Sequence, residues 1–147
     1  MDTSRLLESL NAGNCRYVVI GAMAFPHHGY ARATLDIDIF IEPTEENAGR
    51  VRTALAAFGF DVADVTAADL LQYKLLIRDY AVQLDVHPFV AGATFDEVWA
   101  GSLSSKIGNV PVRVPSLDDL IKMKEAAGRA KDLEDLRYLV ALRNRTA

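Results

Sequence analysis

The sequence contains a single cysteine, Cys15, among its 147 residues. A lone thiol excludes an internal disulfide and a metal cluster built from cysteines. No apolar run approaches the roughly 18 residues of a membrane-spanning helix, and the N-terminus lacks the basic-then-apolar pattern of a signal peptide. We therefore expect no membrane association and a cytoplasmic location.

An excess of positive charge is also missing, since the formal net charge is −4. Broad electrostatic capture of nucleic acid is therefore not indicated. The hydrophobic share of 50% and the charged share of 24% are typical of a globular protein. We predict a single domain over residues 1–147, with a sheet core over about 14–114 and a C-terminal helical pair over about 116–143.

The hydrophobic pattern predicts a small α/β (α+β) fold with a mixed sheet flanked by helices. Helices are predicted where apolar residues recur at helical spacing between capping residues, namely Asp2 or Thr3 to Gly13, Thr44 to Gly59, Phe95 to Ala100, Ser116 to Ala127 and Asp132 to Arg143. Strands are predicted at runs rich in β-branched residues, namely Arg16 to Ile20, Asp36 to Ile41, Phe60 to Val65, a hairpin of Gln72 to Ile77 with Ala81 to His87, and a second hairpin within Ser105 to Val114. Pro26 is expected to limit the segment Met23 to His28 to one helical turn or a kink.

The run Leu35 to Ile41 (LDIDIFI) alternates apolar and acidic residues before it ends in an apolar stretch. Alternation along a strand places Leu35 and the three isoleucines on one face, and Asp36 and Asp38 on the other. Their Cβ atoms would lie about 7 Å apart, given a rise of about 3.3 Å per residue. Two adjacent carboxylates repel each other unless a proton or a cation relieves the repulsion. Mg2+ is a natural ligand, because it takes oxygen donors and shares them with phosphates.

The predicted strand Ala81 to His87 alternates in the same way, with Asp85 on its polar face between Gln83 and His87. A neighbouring strand position would bring Asp85 within reach of the acidic pair. A solvated sheet face is the structural alternative for Asp85, and we favour use in a metal or catalytic site.

A strand that ends in glycine plus a small residue, a short helix and then Arg32 to Asp38 (RATLDID) resembles the nucleotidyltransferase superfamily of polymerase-β-like fold. Within this superfamily, the run Arg32 to Asp38 and the C-terminal run Leu120 to Leu136 resemble motifs of the branch that contains AbiEii-type toxins and related small nucleotidyltransferases. The resemblance extends from about Tyr17 to Leu139. Asp-x-Asp alone is a weak motif, whereas the ordered set of motifs is considerably more specific.

The resemblance implies an Mg2+-dependent enzyme that moves a nucleotidyl group from a nucleoside triphosphate, such as ATP, to a hydroxyl of protein, RNA or a small molecule. It implies a two-metal site held by Asp36, Asp38 and Asp85, with Mn2+ as an alternative ion. A role in a toxin–antitoxin or defence system and an antitoxin partner are consistent with the resemblance. A homodimer is expected on a different ground, because so small a domain needs a partner surface to complete its pocket.

The resemblance also implies nucleotide-binding residues. Gly21 and Ala22 match a turn of the family whose backbone N–H groups approach phosphate oxygens. A plain turn between a strand and a helix is the structural alternative. The family usually has Gly-Gly or Gly-Ser at these two positions, and Ala22 departs from that pattern. Arg32 can meet a phosphate and Thr34 can orient a metal-binding carboxylate, or each can be a plain loop residue.

Lys124 falls on the helical stripe of Leu117, Leu120 and Ile121, which should be buried, whereas Lys122 points elsewhere. A buried ammonium needs an anionic partner, and a triphosphate, Asp85 and Asp132 are the candidates. Asp132 matches a motif position of the family, but it also suits the start of a helix.

Other polar residues are weaker candidates. Asp135 is expected to form a structural ion pair or cap. His27 and His28 are expected at the surface or packed, and His87 is of more interest because it shares a face with Asp85. Two alternatives to the leading interpretation are a metal-dependent glycosyltransferase and a non-catalytic nucleotide sensor or antitoxin-like binding protein.

Overall fold

The computed structural model describes residues 2–146. The helices are α1 (Thr3–Ala12), a 3-10 helix (Gly21–His28), α2 (Glu45–Phe58), α3 (Ala67–Gln72), α4 (Phe95–Gly101), α5 (Leu117–Ala127) and α6 (Ala130–Thr146). The strands are β1 (Tyr17–Ile20), β2 (Asp36–Ile41), β3 (Leu75–Ile77), β4 (Gln83–His87), β5 (Leu103–Ile107) and β6 (Val110–Val114). No helix among the described residues is both long enough and apolar enough to cross a membrane.

The main sheet is mixed and has four strands in the order β1-β2-β4-β3. Strand β2 runs antiparallel to β1 and parallel to β4, and β3 returns antiparallel to β4 as a hairpin. Strands β5 and β6 form a separate antiparallel pair that packs near β1. The predicted mixed α+β fold is therefore confirmed.

Capping residues set the helix limits as the sequence predicts. The side chain of Asp2 accepts a hydrogen bond from the backbone N–H of Arg5, and Thr44 accepts one from Asn47. Ser116 likewise caps α5 through the N–H of Asp119. These contacts satisfy N–H groups that have no partner within their own helix.

The core lies on the apolar face of β2 and β4. Ile37, Ile39, Leu84 and Val86 are fully buried and belong to one cluster with the leucines of α1 and the inner face of α2. On the opposite face of β2, Phe40 lies near the end of the strand and is covered by Phe95 of α4, whose ring meets it edge to face. The acidic half of that face is left to line a cavity.

Several predicted elements are wrong or shifted. Phe60 to Val65 is not a strand but a loop, in which Phe60 and Val62 are buried without a partner strand. The ring of Phe60 packs between those of Phe58 and Tyr80, so core packing produces the alternation that resembles a strand. The helix α3 follows this loop and takes Gln72 from the predicted strand, so β3 begins only at Leu75.

Three further limits differ from prediction. Leu35 precedes β2 and is 84% exposed rather than on the buried face, because the strand begins at Asp36. Pro26 does not limit its segment to one turn, since a 3-10 helix continues from Gly21 to His28. The last helix begins at Ala130 and extends to Thr146, beyond the predicted Asp132 to Arg143.

Candidate active site

Two adjacent parallel strands bring the acidic residues together. Asp38 of β2 and Asp85 of β4 are partners in the strand register, so both carboxylates leave the sheet on the same side. Asp36 lies two residues before Asp38 on this face. One ligand atom each from Asp38, Asp85 and His87 lie within 4.8 Å of one another. The register explains why alternation on two separate strands produces one cluster.

Asp36 carries an oxygen whose bonding capacity is unused. Its Oδ1 atom is buried and, among the described residues, has no hydrogen-bond partner. The hydroxyl of Thr34 donates to the backbone oxygen of Asp36 at 3.1 Å and accepts from its N–H at 3.3 Å. Thr34 therefore fixes the backbone at the start of β2, and its hydroxyl does not contact the carboxylate that it was expected to orient.

His87 and Arg78 contact the other two carboxylates. His87 Nε2 lies 2.8 Å from Asp38 Oδ1. Burial raises the pKa of Asp38, but hydrogen bonds with His87 and Asp85 and favourable electrostatic interactions with His87 and Lys74 together hold the pKa below its ordinary value. The guanidinium of Arg78 donates to Asp85, and its Nη2 lies 3.9 Å from Asp36 Oδ2. Sequence reasoning noticed His87 as a neighbour and missed Arg78.

The turn after β1 packs directly against these carboxylates. Gly21 has a positive φ of 69°, and a Cβ atom added to it would lie 2.7 Å from Asp38 Oδ2. Glycine is therefore required both by the backbone conformation and by the space available. Ala22 follows it, is buried and is the second residue of the 3-10 helix.

Lys124 lies on the inward face of α5, as its helical stripe predicts, with 12% of its side chain exposed. Its Nζ atom lies 3.0 Å from Asp132 Oδ1 and 3.2 Å from Asp135 Oδ2. Asp132 also accepts from Arg129, and Asp135 accepts two hydrogen bonds from Arg32 at 2.8 and 3.0 Å. Asp135 thus forms the structural ion pair that was expected of it.

These ion pairs set the charges of the acidic groups. Burial raises the pKa of Asp132, yet hydrogen bonds from Arg129 and Lys124 lower it to about 2. Burial likewise raises the pKa of Asp135, but the hydrogen bonds and positive charges of Arg32 and Lys124 hold it below its ordinary value. Both carboxylates are therefore ionised near neutral pH and hold Lys124 and Arg32 in place.

A cavity of about 360 Å³ joins the carboxylates to the cationic residues. All nine residues predicted for the site line it, namely Gly21, Ala22, Arg32, Thr34, Asp36, Asp38, Asp85, Lys124 and Asp132. Lys74, Arg129 and Lys131 add positive charge to its wall. His27 and His28 are not among its lining residues, and they bond instead to Ser105 Oγ and the Pro115 carbonyl.

The acidic side of this cavity fits a divalent cation. Asp38, Asp85 and His87 lie close enough together to share one ion, and Asp36 next to them on β2 carries a buried carboxylate oxygen that has no hydrogen-bond partner in the described part of the chain. Hard cations such as Mg2+ prefer oxygen donors of this kind. Carboxylate oxygens also suit Mn2+.

Two solved structures share the fold over most of the chain. The structure of ANT(2″)-Ia in complex with adenylyl-2″-tobramycin matches with a TM-score of 0.60 and 20% identity, covering 97% of this chain and 95% of the other. A protein from Thermotoga maritima assigned to the nucleotidyltransferases matches with a TM-score of 0.59 and 14% identity, covering 93% of this chain and 89% of the other. At these identities the likeness shows the fold.

No curated protein matches the sequence. Residues 3–144, which include every residue of the cavity wall, match the family described as nucleotidyltransferase of unknown function (DUF6036). The chain belongs to this family and is a nucleotidyltransferase.

Proposed function

We propose that the protein transfers a nucleoside monophosphate from a nucleoside triphosphate to a hydroxyl group in an Mg2+-dependent reaction. The observation that carries this proposal is the convergence of Asp36, Asp38 and Asp85 on one cavity that is also lined by cationic side chains. A triphosphate with its metal ions needs both features, since the carboxylates take the metal and the cations take the phosphates.

Asp36, Asp38 and Asp85 are proposed to hold the metal, with Mn2+ as an alternative to Mg2+. Bound there, a pair of divalent ions would stabilise the attacking and leaving oxygens of an in-line displacement at phosphorus. His87 holds Asp38 in position through its hydrogen bond of 2.8 Å, and Gly21 leaves room for the same carboxylate.

The triphosphate is proposed to lie between these carboxylates and Lys74, Lys124, Arg129 and Lys131. Lys124 already has two carboxylate partners, so it adds little net charge and mainly positions the helices around the cavity. No ion pair is described for Lys74 or Lys131 within residues 2–146, which leaves them the better phosphate anchors. Arg32 is held by Asp135 and is proposed to contact the nucleotide from the rim.

The acceptor is proposed to enter through an adjoining groove of about 570 Å³. Arg32 and Lys131 line both this groove and the cavity, and the rest of the groove wall includes Tyr30, Glu134 and Tyr138. The groove suits a small hydroxylated molecule or the end of a protein side chain or RNA. The AbiEii-type branch, an antitoxin partner and a homodimer stay predictions from the sequence.

The test is transfer of α-phosphate label from each of four nucleoside triphosphates, with Mg2+ or Mn2+, to cell protein, cell RNA and a panel of small polyhydroxyl compounds. We expect labelled product with the wild type and a loss of at least about 100-fold with Asp38→Asn or Asp85→Asn. Asp64→Asn changes an exposed loop carboxylate and should leave the rate unchanged.

Equal labelling by the wild type and both site variants would refute the assignment of these carboxylates. If no acceptor is labelled, calorimetry should measure nucleotide binding by the wild type and by Asp38→Asn, with and without the metal ion. Metal-dependent nucleotide binding that is lost in Asp38→Asn would support the site, and no binding by either protein would favour a non-catalytic relative.

A further inference from the structure

We propose that the ring of Phe89 is the surface on which the nucleobase of the triphosphate stacks. This inference rests on the proposed function, because it assigns a position to one part of the same substrate. It concerns a residue that the sequence motifs do not include.

Phe89 is unusual among the large apolar residues of this cavity. It is 61% exposed and lines the cavity only two residues beyond His87, at the end of β4. Leaving an aromatic side chain in water forgoes about 1.5 to 3 kcal/mol of burial free energy. An exposed aromatic ring at the edge of a substrate cavity is therefore well placed to be covered by a ligand.

The segment that presents Phe89 is fixed against α5. Gly92 has a positive φ of 86°, and a Cβ atom there would lie 2.6 Å from the Ala126 side chain and 3.0 Å from the Lys122 carbonyl. Val90 and Ala93 close the segment with an antiparallel bridge. Because α5 also carries Lys124, the backbone segment that follows Phe89 is packed against the same helix as one of the cations of the cavity.

The cavity is divided between charged and apolar sides. Most of its apolar lining residues come from the Phe89 segment and from α5, namely Phe89, Val90, Ala91, Leu120, Met123 and Ala127, and Ile20 and Ala22 on either side of Gly21 supply the others. A nucleoside triphosphate is divided in the same way, since a flat apolar base is joined to an anionic chain. With the phosphates between the carboxylates and the cations, the base is left to meet the apolar side.

This apolar side supplies no side-chain hydrogen-bond donor or acceptor among its named residues. Recognition there would depend on stacking, which every base can provide and which favours larger ring systems. We therefore expect purine nucleotides to bind more tightly than pyrimidine nucleotides, with little discrimination between adenine and guanine by side chains.

The experiment is calorimetry on the full chain with Mg2+ and three probes, namely the α,β-methylene analogues of ATP and CTP, and inorganic tripolyphosphate. Phe89→Ala should lower the affinity for the ATP analogue roughly 5- to 150-fold, the range that base–aromatic stacking supplies. The affinity for the CTP analogue should fall by less, and the affinity for tripolyphosphate should equal that of the wild type. Phe89→Trp should restore binding of both analogues.

Tyr73→Ala is the matched control, because this ring is 63% exposed and is not among the lining residues of the cavity. A loss of less than twofold for both analogues in Phe89→Ala would overturn the inference. An equal loss for tripolyphosphate would overturn it too, since the variant would then act through the fold or the phosphates. No binding of any probe to the wild type would contradict the proposed function itself.

Discussion

Gly21 and Asp38 are in such close contact that a single methyl group cannot fit between them. A Cβ atom on Gly21 would lie 2.7 Å from the carboxylate oxygen Oδ2 of Asp38, and the backbone of Gly21 has a φ of 69°. The turn after β1 and the acidic face of β2 are therefore constrained together. The glycine of the sequence motif serves the carboxylate as well as the turn.

We predict that Gly21→Ala displaces Asp38 and weakens metal binding. The left-handed backbone conformation alone should cost about 1 to 2 kcal/mol of stability. Chemical unfolding would measure this loss, and calorimetry with Mn2+ would measure the loss of affinity. Gly49→Ala is the control, because it lies inside α2 with no atom within 4 Å of the added Cβ. That variant should gain about 0.5 to 1 kcal/mol, and equal metal affinity in both variants would contradict the prediction.

A metal ion bound at the proposed site would compete with Arg78 for the carboxylates. Its guanidinium donates to Asp85 and lies 3.9 Å from Asp36, so it supplies the positive charge that a divalent cation would supply. We predict that Arg78→Met raises the affinity for Mg2+ roughly two- to fivefold, since about 40% of the arginine side chain is exposed and its ion pairs are partly screened. Titration calorimetry would measure this affinity.

The same variant should lower the melting temperature of the metal-free protein, and the difference should narrow when Mg2+ is added. Arg5→Met removes an exposed charge far from this cluster in sequence and should change neither quantity. Weaker Mg2+ binding by Arg78→Met would show that the guanidinium assists the metal rather than replacing it.

The polar face of the site could be predicted from the sequence because alternation along β2 and β4 needs no knowledge of their partners. The sequence also predicts that Lys124 points inward, since its helical stripe is a local property of α5. In contrast, the sequence left a triphosphate, Asp85 and Asp132 open as partners for Lys124. Because α6 packs against α5, the residues that form ion pairs with Lys124 are Asp132 and also Asp135.

The wrong or missing predictions also concern features that depend on tertiary contacts or on signals that hydrophobic alternation does not carry. A strand over Phe60 to Val65 fits the alternation, but that segment has no neighbouring strand with which to pair. The capping box of Thr66 and Asp69 was a readable signal for α3 and was missed. Arg78 could not be assigned because its position depends on how the hairpin of β3 and β4 folds over the carboxylates.

Cys15 should react slowly with alkylating agents in the folded protein. Burial raises the pKa of its thiol to about 11, with a smaller opposing effect from Arg50. Only about 0.1% of the thiol would be ionised at pH 8, compared with about a quarter for an ordinary cysteine. Mass spectrometry of iodoacetamide-treated protein should therefore show slow labelling that accelerates steeply in urea. Rapid labelling of the folded chain would contradict this expectation.

The ion pairs around Asp132 should make the stability of the protein sensitive to acid. The pKa of Asp132 is about 2 in the folded protein and about 3.8 without these contacts, so ionised Asp132 stabilises the fold above about pH 4. This stabilisation is lost as the pH falls from about 4 towards 2. We predict that Asp132→Asn costs about 2 kcal/mol of unfolding free energy at pH 7, the value of hydrogen bonds to a charged group.

The cost of Asp132→Asn should shrink as the pH is lowered through this window, because the wild-type carboxyl then becomes neutral as well. Urea unfolding at a series of pH values would measure it. Asp64→Asn, in an exposed loop, should stay within about 0.5 kcal/mol of the wild type at every pH. A cost that is independent of pH would mean that Asp132 stabilises the helices by its shape and hydrogen bonding rather than by its charge.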